Sequence, residues 1–496
     1  MLKRKLTKEI KIGNIYIGGE NKIAIQSMTN TKTKDVDATL KQINDLYKYG
    51  CDIVRVAILD IEDANSLYAI CDASPIPVVA DIHFDYRLAL IAIDAGISKI
   101  RINPGNIGSI DRIEKVVNAC KEKNIPIRIG VNNGSINKEI AKKYGTDAKA
   151  LVESAKEHIE ILEKLDFHNI VVSIKASNVL KTIEAYTLFS EEYDYPVHLG
   201  LTEAGTIYSG SIKSSIAIGH LLLNGIGDTI RVSLTDDPVK EIIAAKEILS
   251  ALGLYAKPEL ISCPTCGRCQ YNMIPIASSI SDYLNTKTGK IKVAVMGCAV
   301  NGPGEAKDAD LGIAGSKNSA LLFKKGRVIR KIPEESILSE LKNEITMQLD
   351  NITFKYFDKL NDDIISLRTK IFVEEQGFTE EFDDIDDNST FVLIYKNGKA
   401  IGTGRFFKES ADTYHLGRIC VLKDYRLNGY GSIILMLLEN KITSLYENID
   451  NIDITLKLSS QNQAKAFYEK LNYIDTLNDY YEQDCLHNRL QKIYHK

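Results

Sequence analysis

An α/β architecture led by a (β/α)8 barrel, with two smaller domains behind it, is what this sequence predicts. Three observations carry the prediction. Residues 22–235 repeat one unit, a short apolar β-rich run followed by an amphipathic helical segment. The repeat stops near residue 255, and a cysteine string, CPTCGRC, follows at 263–269. After a helical pattern ending at residue 350, strand signals restart and continue toward the C-terminus. A chain of 496 residues exceeds one ordinary core, so two or three domains fit its length. The boundaries read as 1–254 for the barrel, 255–350 for the cysteine-bearing domain and 351–496 for the last domain.

The eight runs are KIAIQSM (22–28), DIVRVAI (52–58), IPVVADI (76–82), KIRINPG (99–105), IPIRIGVN (125–132), NIVVSIKAS (169–177), PVHLGLTEA (196–204) and TIRVSL (229–234). Continuous apolar runs alternating with helices indicate buried parallel strands. Eight such units in succession suit a closed barrel better than a doubly wound sheet.

Most of the runs turn polar near their C-terminal ends, where a barrel places its active site. Five of those polar residues are cationic: Arg55, Arg101, Arg128, Lys175 and Arg231. Barrel interiors favour Val, Ile and Leu, so five cations converging on one mouth repel one another. A multiply charged anion, most simply a diphosphate, relieves that cost, and arginine forks match phosphate oxygens. The competing reading caps a helix with each cation or pairs it with a loop carboxylate. Asp81, His83, Asn103, Asn132 and Ser233 also stand at strand ends. Glu203, in LTEAG, is the carboxylate at the end of the seventh run and a candidate general acid–base. An Asp81–His83 pair can equally serve only to orient a loop.

Cys263, Cys266, Cys269 and, in CAVNGPGEA (298–306), Cys298 concentrate the metal-binding potential of the second domain. Histidine is absent from 221 to 414, so zinc lacks its usual ligands. A thioredoxin-like pair needs no distant third thiol. Thiolates, a tight Gly-Pro-Gly turn and the nearby Glu305 fit a [4Fe–4S] cluster with one oxygen ligand. The alternative closes the cluster with Cys269 as a fourth thiolate. The remaining cysteines are scattered singly and read as small buried hydrophobes.

These motifs carry a resemblance. QSMTNT, ADIHFDYRLAL, RINPGNIG, IPIRIGVN, SIKAS, LTEAG, GIGDTIRVSL, CPTC and GCAVNGPGEA resemble, densely and in order over about residues 5–349, the bacterial 4-hydroxy-3-methylbut-2-enyl diphosphate synthases of the methylerythritol phosphate route to isoprenoids. The resemblance implies a TIM barrel, a ferredoxin-like α+β iron–sulfur domain and reductive ring opening of 2-C-methyl-D-erythritol 2,4-cyclodiphosphate with loss of water. It implies cluster ligands Cys263, Cys266, Cys298 and Glu305, with Cys269 outside the set. It further implies a substrate set of Arg55, Arg101, Arg128, Asn132, Lys175, Arg231 and Ser233, with Glu203 as acid–base. Ferredoxin or flavodoxin is the implied electron donor, and a homodimer the implied assembly.

The last domain lies beyond what that family needs. ITFKYF and LRTKIFVEEQGF lead into an acidic run, EEFDDIDD (380–387), that reads as a solvated loop. TFVLIY and AIGTGRFF, joined by KNGK, read as a hairpin. RLNGYG then gives R-x-x-G-x-G spacing between a strand and an apolar helix, suited to backbone amides facing a pyrophosphate. This loop, with SSQNQAKAFYEKLNY after it, resembles the acetyl-CoA elements of GCN5-related (GNAT) N-acetyltransferases. The resemblance places Arg426, Gly429, Gly431 and Asn462 at the cofactor and makes Tyr468 the acid that protonates the leaving thiolate. The acceptor is not readable, and a module that only binds CoA or regulates is the alternative.

Formal net charge is -4, which offers no basic field for nucleic acid. The basic start, MLKRKLTKEIKIG, has no apolar stretch behind it, and no run approaches the roughly 20 apolar residues of a membrane span. A cytoplasmic location, without a membrane partner, is the expectation.

Overall fold

The computed structural model describes residues 4–103, 107–132, 134, 136–447, 449 and 451–495. Pro104 and Gly105, the end of the run predicted at 99–105, lie outside the described residues. The chain forms two compact units, Met1–Ala256 and Lys257–Lys496.

The first unit opens with a short hairpin, β1 (Ile10–Ile12) and β2 (Ile15–Ile17). Eight parallel strands follow: β3 (Ala24–Met28), β4 (Ile53–Ile58), β5 (Val78–Ile82), β6 (Lys99–Ile102), β7 (Ile127–Asn132), β8 (Ile170–Lys175), β9 (His198–Leu199) and β10 (Thr229–Ile230). Each pairs with its neighbour in sequence from β3 to β8, and β10 joins β9 to β3. A parallel bridge between Val172 and Val197 closes the ring. The eight-stranded barrel is therefore the one expected.

Ile10, Ile12 and Ile17 of the hairpin pack with Ala24, Ile53, Val79 and Val171, at or near the starts of their strands. An apolar plug thus seals the N-terminal end of the barrel and leaves the C-terminal end as the open, polar one. β9 and β10 are much shorter than the runs expected at 196–204 and 229–234. Gly200 ends the first: a Cβ there would stand 2.6 Å from the Arg231 carbonyl oxygen and 2.8 Å from Lys175 Nζ. Past it the chain leaves the sheet and carries Glu203 in a loop.

The second unit holds two sheets. β11 (Glu259–Ser262), β12 (Lys292–Met296) and β13 (Leu311–Ser316) are parallel, and β14 (Ser319–Lys324) and β15 (Arg327–Pro333) extend them antiparallel. The Met273–Asn285 and Ile337–Leu349 helices cover this sheet and share its apolar core. After only Asp350 and Asn351 the second sheet begins. It runs β16-β17-β18-β19-β20-β22-β21 and is formed by Ile352–Phe357, Ser389–Lys396, Lys399–Lys408, Thr413–Val421, Asp453–Gln461, Cys485–His495 (β22) and Ile474–Glu482 (β21). The expected hairpin is β17–β18. The Tyr430–Ser444 helix lies in the core of this second sheet.

Residues 380–387, expected as a solvated acidic loop, are partly core. Arg368, fully buried, bonds Glu381 at 2.6 Å and Asp386 at 2.7 Å, and Arg405 bonds Asp383 at 2.7 Å. The carboxylates are drawn inward because the arginines would otherwise be buried without partners. Among the described residues no helix is long and apolar enough to cross a membrane.

Candidate functional sites

Inside the polar half of the barrel, Arg55, Asp81, Arg101, Arg128, Lys175 and Arg231 gather; Lys175 ends β8 and Arg231 follows β10, whereas Arg55 and Arg128, expected at strand ends, lie within β4 and β7. Two carboxylates partner three of the cations. Asp81 receives Arg101 Nη1 at 3.1 Å and lies 3.5 Å from Arg55 Nε. Glu241, on the Pro238–Ala251 helix, receives Arg231 through Nε at 3.0 Å and Nη2 at 3.1 Å, and also Ser27 Oγ at 2.7 Å. Arg128 is 1% exposed, and its Nε and Nη1 have no partner among the described residues.

The electrostatics follow from that imbalance. Burial lowers the Arg55 pKa to about 10, with Asp81 opposing and Arg231 and Arg101 adding to the fall. Burial, then Arg55 and Arg101, pushes Arg128 well below its usual value. Burial and the neighbouring Arg231, Arg128 and Arg55 do the same to Lys175. Burial works to raise Asp81, yet Arg55, His83, Arg101 and Arg128 hold it well below the carboxylate range. Five charges of one sign against two of the other leave a site that an anion stabilises.

The remaining expected residues are less enclosed. Ser233 is half-buried just past β10, and Asn132 Oδ1 accepts the Gly134 amide at 3.0 Å. Glu203 is exposed and sits at φ 55, a left-handed conformation that costs a non-glycine residue about 1–3 kcal/mol. His83 Nε2 lies 2.8 Å from Arg101 Nη1. Glu241 was not foreseen, because it belongs to a helix rather than a strand end. Lys99, fully buried with its Nζ unpartnered among the described residues, was also missed. Its two-residue spacing from Arg101, which puts both on one strand face, was the available signal.

In the second unit, Cys263 follows β11 and Cys298 follows β12, so neighbouring parallel strands deliver both cysteine segments to one edge. The Gly297 amide donates to Cys263 Sγ at 3.1 Å. Cys269 Sγ instead points to the Tyr271 carbonyl, 3.2 Å away. All four cysteines are free. Glu305 is exposed at the end of the four-residue Gly302–Glu305 turn. Gly302 lets that turn press against the sheet, where a Cβ would meet Ala314 Cβ at 2.8 Å. Among the described residues no three His, Cys, Asp or Glu side chains close on a single metal ion. Soft thiols on adjoining loops, with a backbone N–H already on sulfur, suit a larger multi-iron group better.

The third site is a cavity of about 740 Å³ where β19 and β20 part. The two strands pair only from Thr413–Leu416 to Thr455–Leu458. Beyond that they separate, and Cys420, Ser460 and Tyr468 line the gap. Gly429, at φ 86, starts the Tyr430–Ser444 helix, and it and Gly431 face the cavity. Arg426 lines it too, clamped by Glu375 at 2.5 and 2.8 Å. Tyr468 is 9% exposed, and burial raises its phenol above the usual range. Asn462 is exposed on the Asn462–Ala464 turn, beside Gln461 and Gln463 of the cavity wall.

Residues 7–246 match the family described as GcpE TIM-barrel domain, residues 259–347 the GcpE protein C-terminal domain, and residues 358–473 the Acetyltransferase (GNAT) family. The chain is similar to the 4-hydroxy-3-methylbut-2-en-1-yl diphosphate synthase (flavodoxin) of Clostridium perfringens, at 59% identity over 343 residues. That match covers 68% of this chain and 98% of the relative. The protein of the same name from Ruminiclostridium cellulolyticum is 58% identical over 347 residues, covering 70% and 98%. The one from Listeria monocytogenes is 56% identical over 361 residues, covering 72% and 97%.

Proposed function

This chain belongs to the GcpE family and carries a GNAT domain behind it, and from that premise we propose how its own residues divide the work. Residues 1–254 bind 2-C-methyl-D-erythritol 2,4-cyclodiphosphate, residues 255–350 deliver electrons to it, and residues 351–496 form an acetyl-CoA-dependent N-acyltransferase. The product of the first two is 4-hydroxy-3-methylbut-2-enyl diphosphate.

The observation that carries the first reading is the uncompensated positive charge at the barrel mouth, with Arg128 buried and part of its guanidinium unpartnered. Arg55, Arg101, Arg128, Lys175 and Arg231 clamp the diphosphate oxygens, and Asn132 and Ser233 add neutral contacts. Asp81 and Glu241 hold three of the arginines in place. Glu203 stands at the rim in a strained backbone state and supplies a proton to the departing oxygen. Cys263, Cys266, Cys298 and Glu305 would hold a [4Fe–4S] cluster, which when bound would pass the donor's two electrons on one at a time. The donor is a flavodoxin, which the relatives' name carries, and the assembly a homodimer.

Titration calorimetry with the cyclodiphosphate tests the clamp. Arg128→Gln should weaken binding at least tenfold, since a charge-assisted pair is worth about 1.5–3 kcal/mol. Binding at the unaltered affinity would remove Arg128 from the site.

A further inference from the structure

The cavity between β19 and β20 has a second end that the cofactor loop and Tyr468 leave unused. Glu380, Glu381, Glu482 and His487 line it. His487 stands on β22, opposite Gln461 of β20 and Tyr480 of β21, and is 7% exposed. Its ring stacks on Tyr480, with centroids 5.5 Å apart and 25° between planes. Its Nδ1 lies 3.0 Å from the Cys485 carbonyl oxygen. A carbonyl only accepts, so Nδ1 carries the hydrogen and Nε2 of the neutral ring keeps its lone pair. Nε2 has no hydrogen-bond partner among the described residues.

The walls of this end are tied together. Gln461 Nε2 donates to Gln376 Oε1 at 2.8 Å, and the Thr379 amide donates to Gln483 Oε1 at 2.8 Å. The carboxylates differ in their pairing. Glu381 is neutralised by Arg368 at 2.6 Å and Arg418 at 3.1 Å. Glu380 and Glu482 make no ion pair among the described residues; Glu482 accepts only the Tyr480 hydroxyl, at 3.3 Å.

We propose that this end is the acyl-acceptor site, that His487 Nε2 is the base that deprotonates the acceptor ammonium, and that Glu380 and Glu482 select a small amine bearing a second positive charge. The proposal rests on the acyltransferase reading of residues 351–496. His487 takes one proton from the ammonium, and the freed amine attacks the thioester carbonyl carbon. A C–N bond forms and the C–S bond breaks. The departing thiolate takes the Tyr468 hydroxyl proton, and the second proton lost from nitrogen restores the tyrosine through solvent. The His487 proton passes to solvent, so amide, free CoA and one proton are the products. The titratable and charged groups around His487 are Tyr480 and Glu482 on β21, Arg489 on its own strand, and Glu380, Glu381, Arg418, Cys420, Tyr425, Arg426, Tyr430 and Tyr468 in the lining of the same cavity.

Thiol release from acetyl-CoA by the full chain is the assay, with 1,4-diaminobutane, n-butylamine and L-glutamate as acceptors. The diamine should have the lowest KM, and Glu482→Gln and Glu380→Gln should raise it toward that of butylamine. His487→Gln, with His487→Asn as a second variant, should lower kcat about 100-fold and flatten the low-pH limb of the rate profile. Acetyl-CoA affinity, measured by calorimetry, should stay unchanged and so report an intact fold. Wild-type kcat and pH profile in both His487 variants, or preference for glutamate, would overturn the proposal while leaving an acyltransferase. Wild-type protein that neither binds acetyl-CoA nor acetylates any amine would overturn the acyltransferase reading itself and the proposal with it.

Discussion

At the scale of single residues, the barrel mouth is tuned by atoms that touch no substrate. Gly200 is the sharpest case, because a methyl group there would stand 2.8 Å from Lys175 Nζ and 2.6 Å from the Arg231 carbonyl. Both neighbours would have to move, and a displacement of about 1 Å at a clamp costs on the order of 100-fold. Gly200→Ala should therefore lower kcat/KM for the cyclodiphosphate by at least tenfold with iron content intact; steady-state kinetics reads this directly. Cys269 makes the opposite case. Its thiol engages the Tyr271 carbonyl, while Cys263 already receives the Gly297 amide. Cys269→Ser should retain iron and acid-labile sulfide at wild-type levels, and Cys298→Ser should lose them. Iron loss in the Cys269 variant would make that thiol a ligand and displace Glu305 from the set.

At the scale of elements, the strands were legible where they are longest and most apolar. β4, β5, β7 and β8 stand nearly where their runs fell, since a strand buried on both faces writes itself as unbroken Val and Ile. β9 and β10 were over-read, because apolar residues continue past the last ladder bond into the mouth loops. The cations were legible as polar breaks in apolar runs, although Arg55 and Arg128 lie within their strands rather than at the ends, and their partners were not equally legible. Asp81 lies on a strand end, whereas Glu241 reaches Arg231 from the following helix, and no spacing rule links the two. The acidic run at 380–387 misled for a related reason: charge alone says solvent, and only the fold brings Arg368 and Arg405 to meet it. That network yields a prediction of its own. Arg368→Ala leaves Glu381 to Arg418 and Asp386 to Arg405 alone, and the lost charge-assisted bonds should destabilise the second unit by about 1.5–3 kcal/mol. Urea unfolding followed by tyrosine fluorescence would measure the loss, and an unchanged midpoint would mean the carboxylates reach water.

At the scale of the molecule, a synthase and a GNAT domain share one chain, and the second unit shows how the GNAT sheet is joined to the cysteine-bearing sheet. Tyr430, inside the cofactor loop motif, donates to Asp350 at the end of the Ile337–Leu349 helix, 2.7 Å away. Asn343 of that helix donates to the Ser432 carbonyl at 3.3 Å, and Met347 packs into the core of the GNAT sheet. Arg330 is held by Glu340 and Glu344 and reaches Met436 Sδ at 3.8 Å. The fused domain is thus packed against the helix that closes the cysteine-bearing sheet. The central claim remains the reaction of the first two domains. Its most direct test is mass-spectrometric detection of product from the cyclodiphosphate, using the full chain purified anaerobically with reduced flavodoxin. The account predicts 4-hydroxy-3-methylbut-2-enyl diphosphate, formed by protein that carries close to four irons and four sulfides per chain. Protein with that complement that binds the cyclodiphosphate and leaves it intact would contradict it.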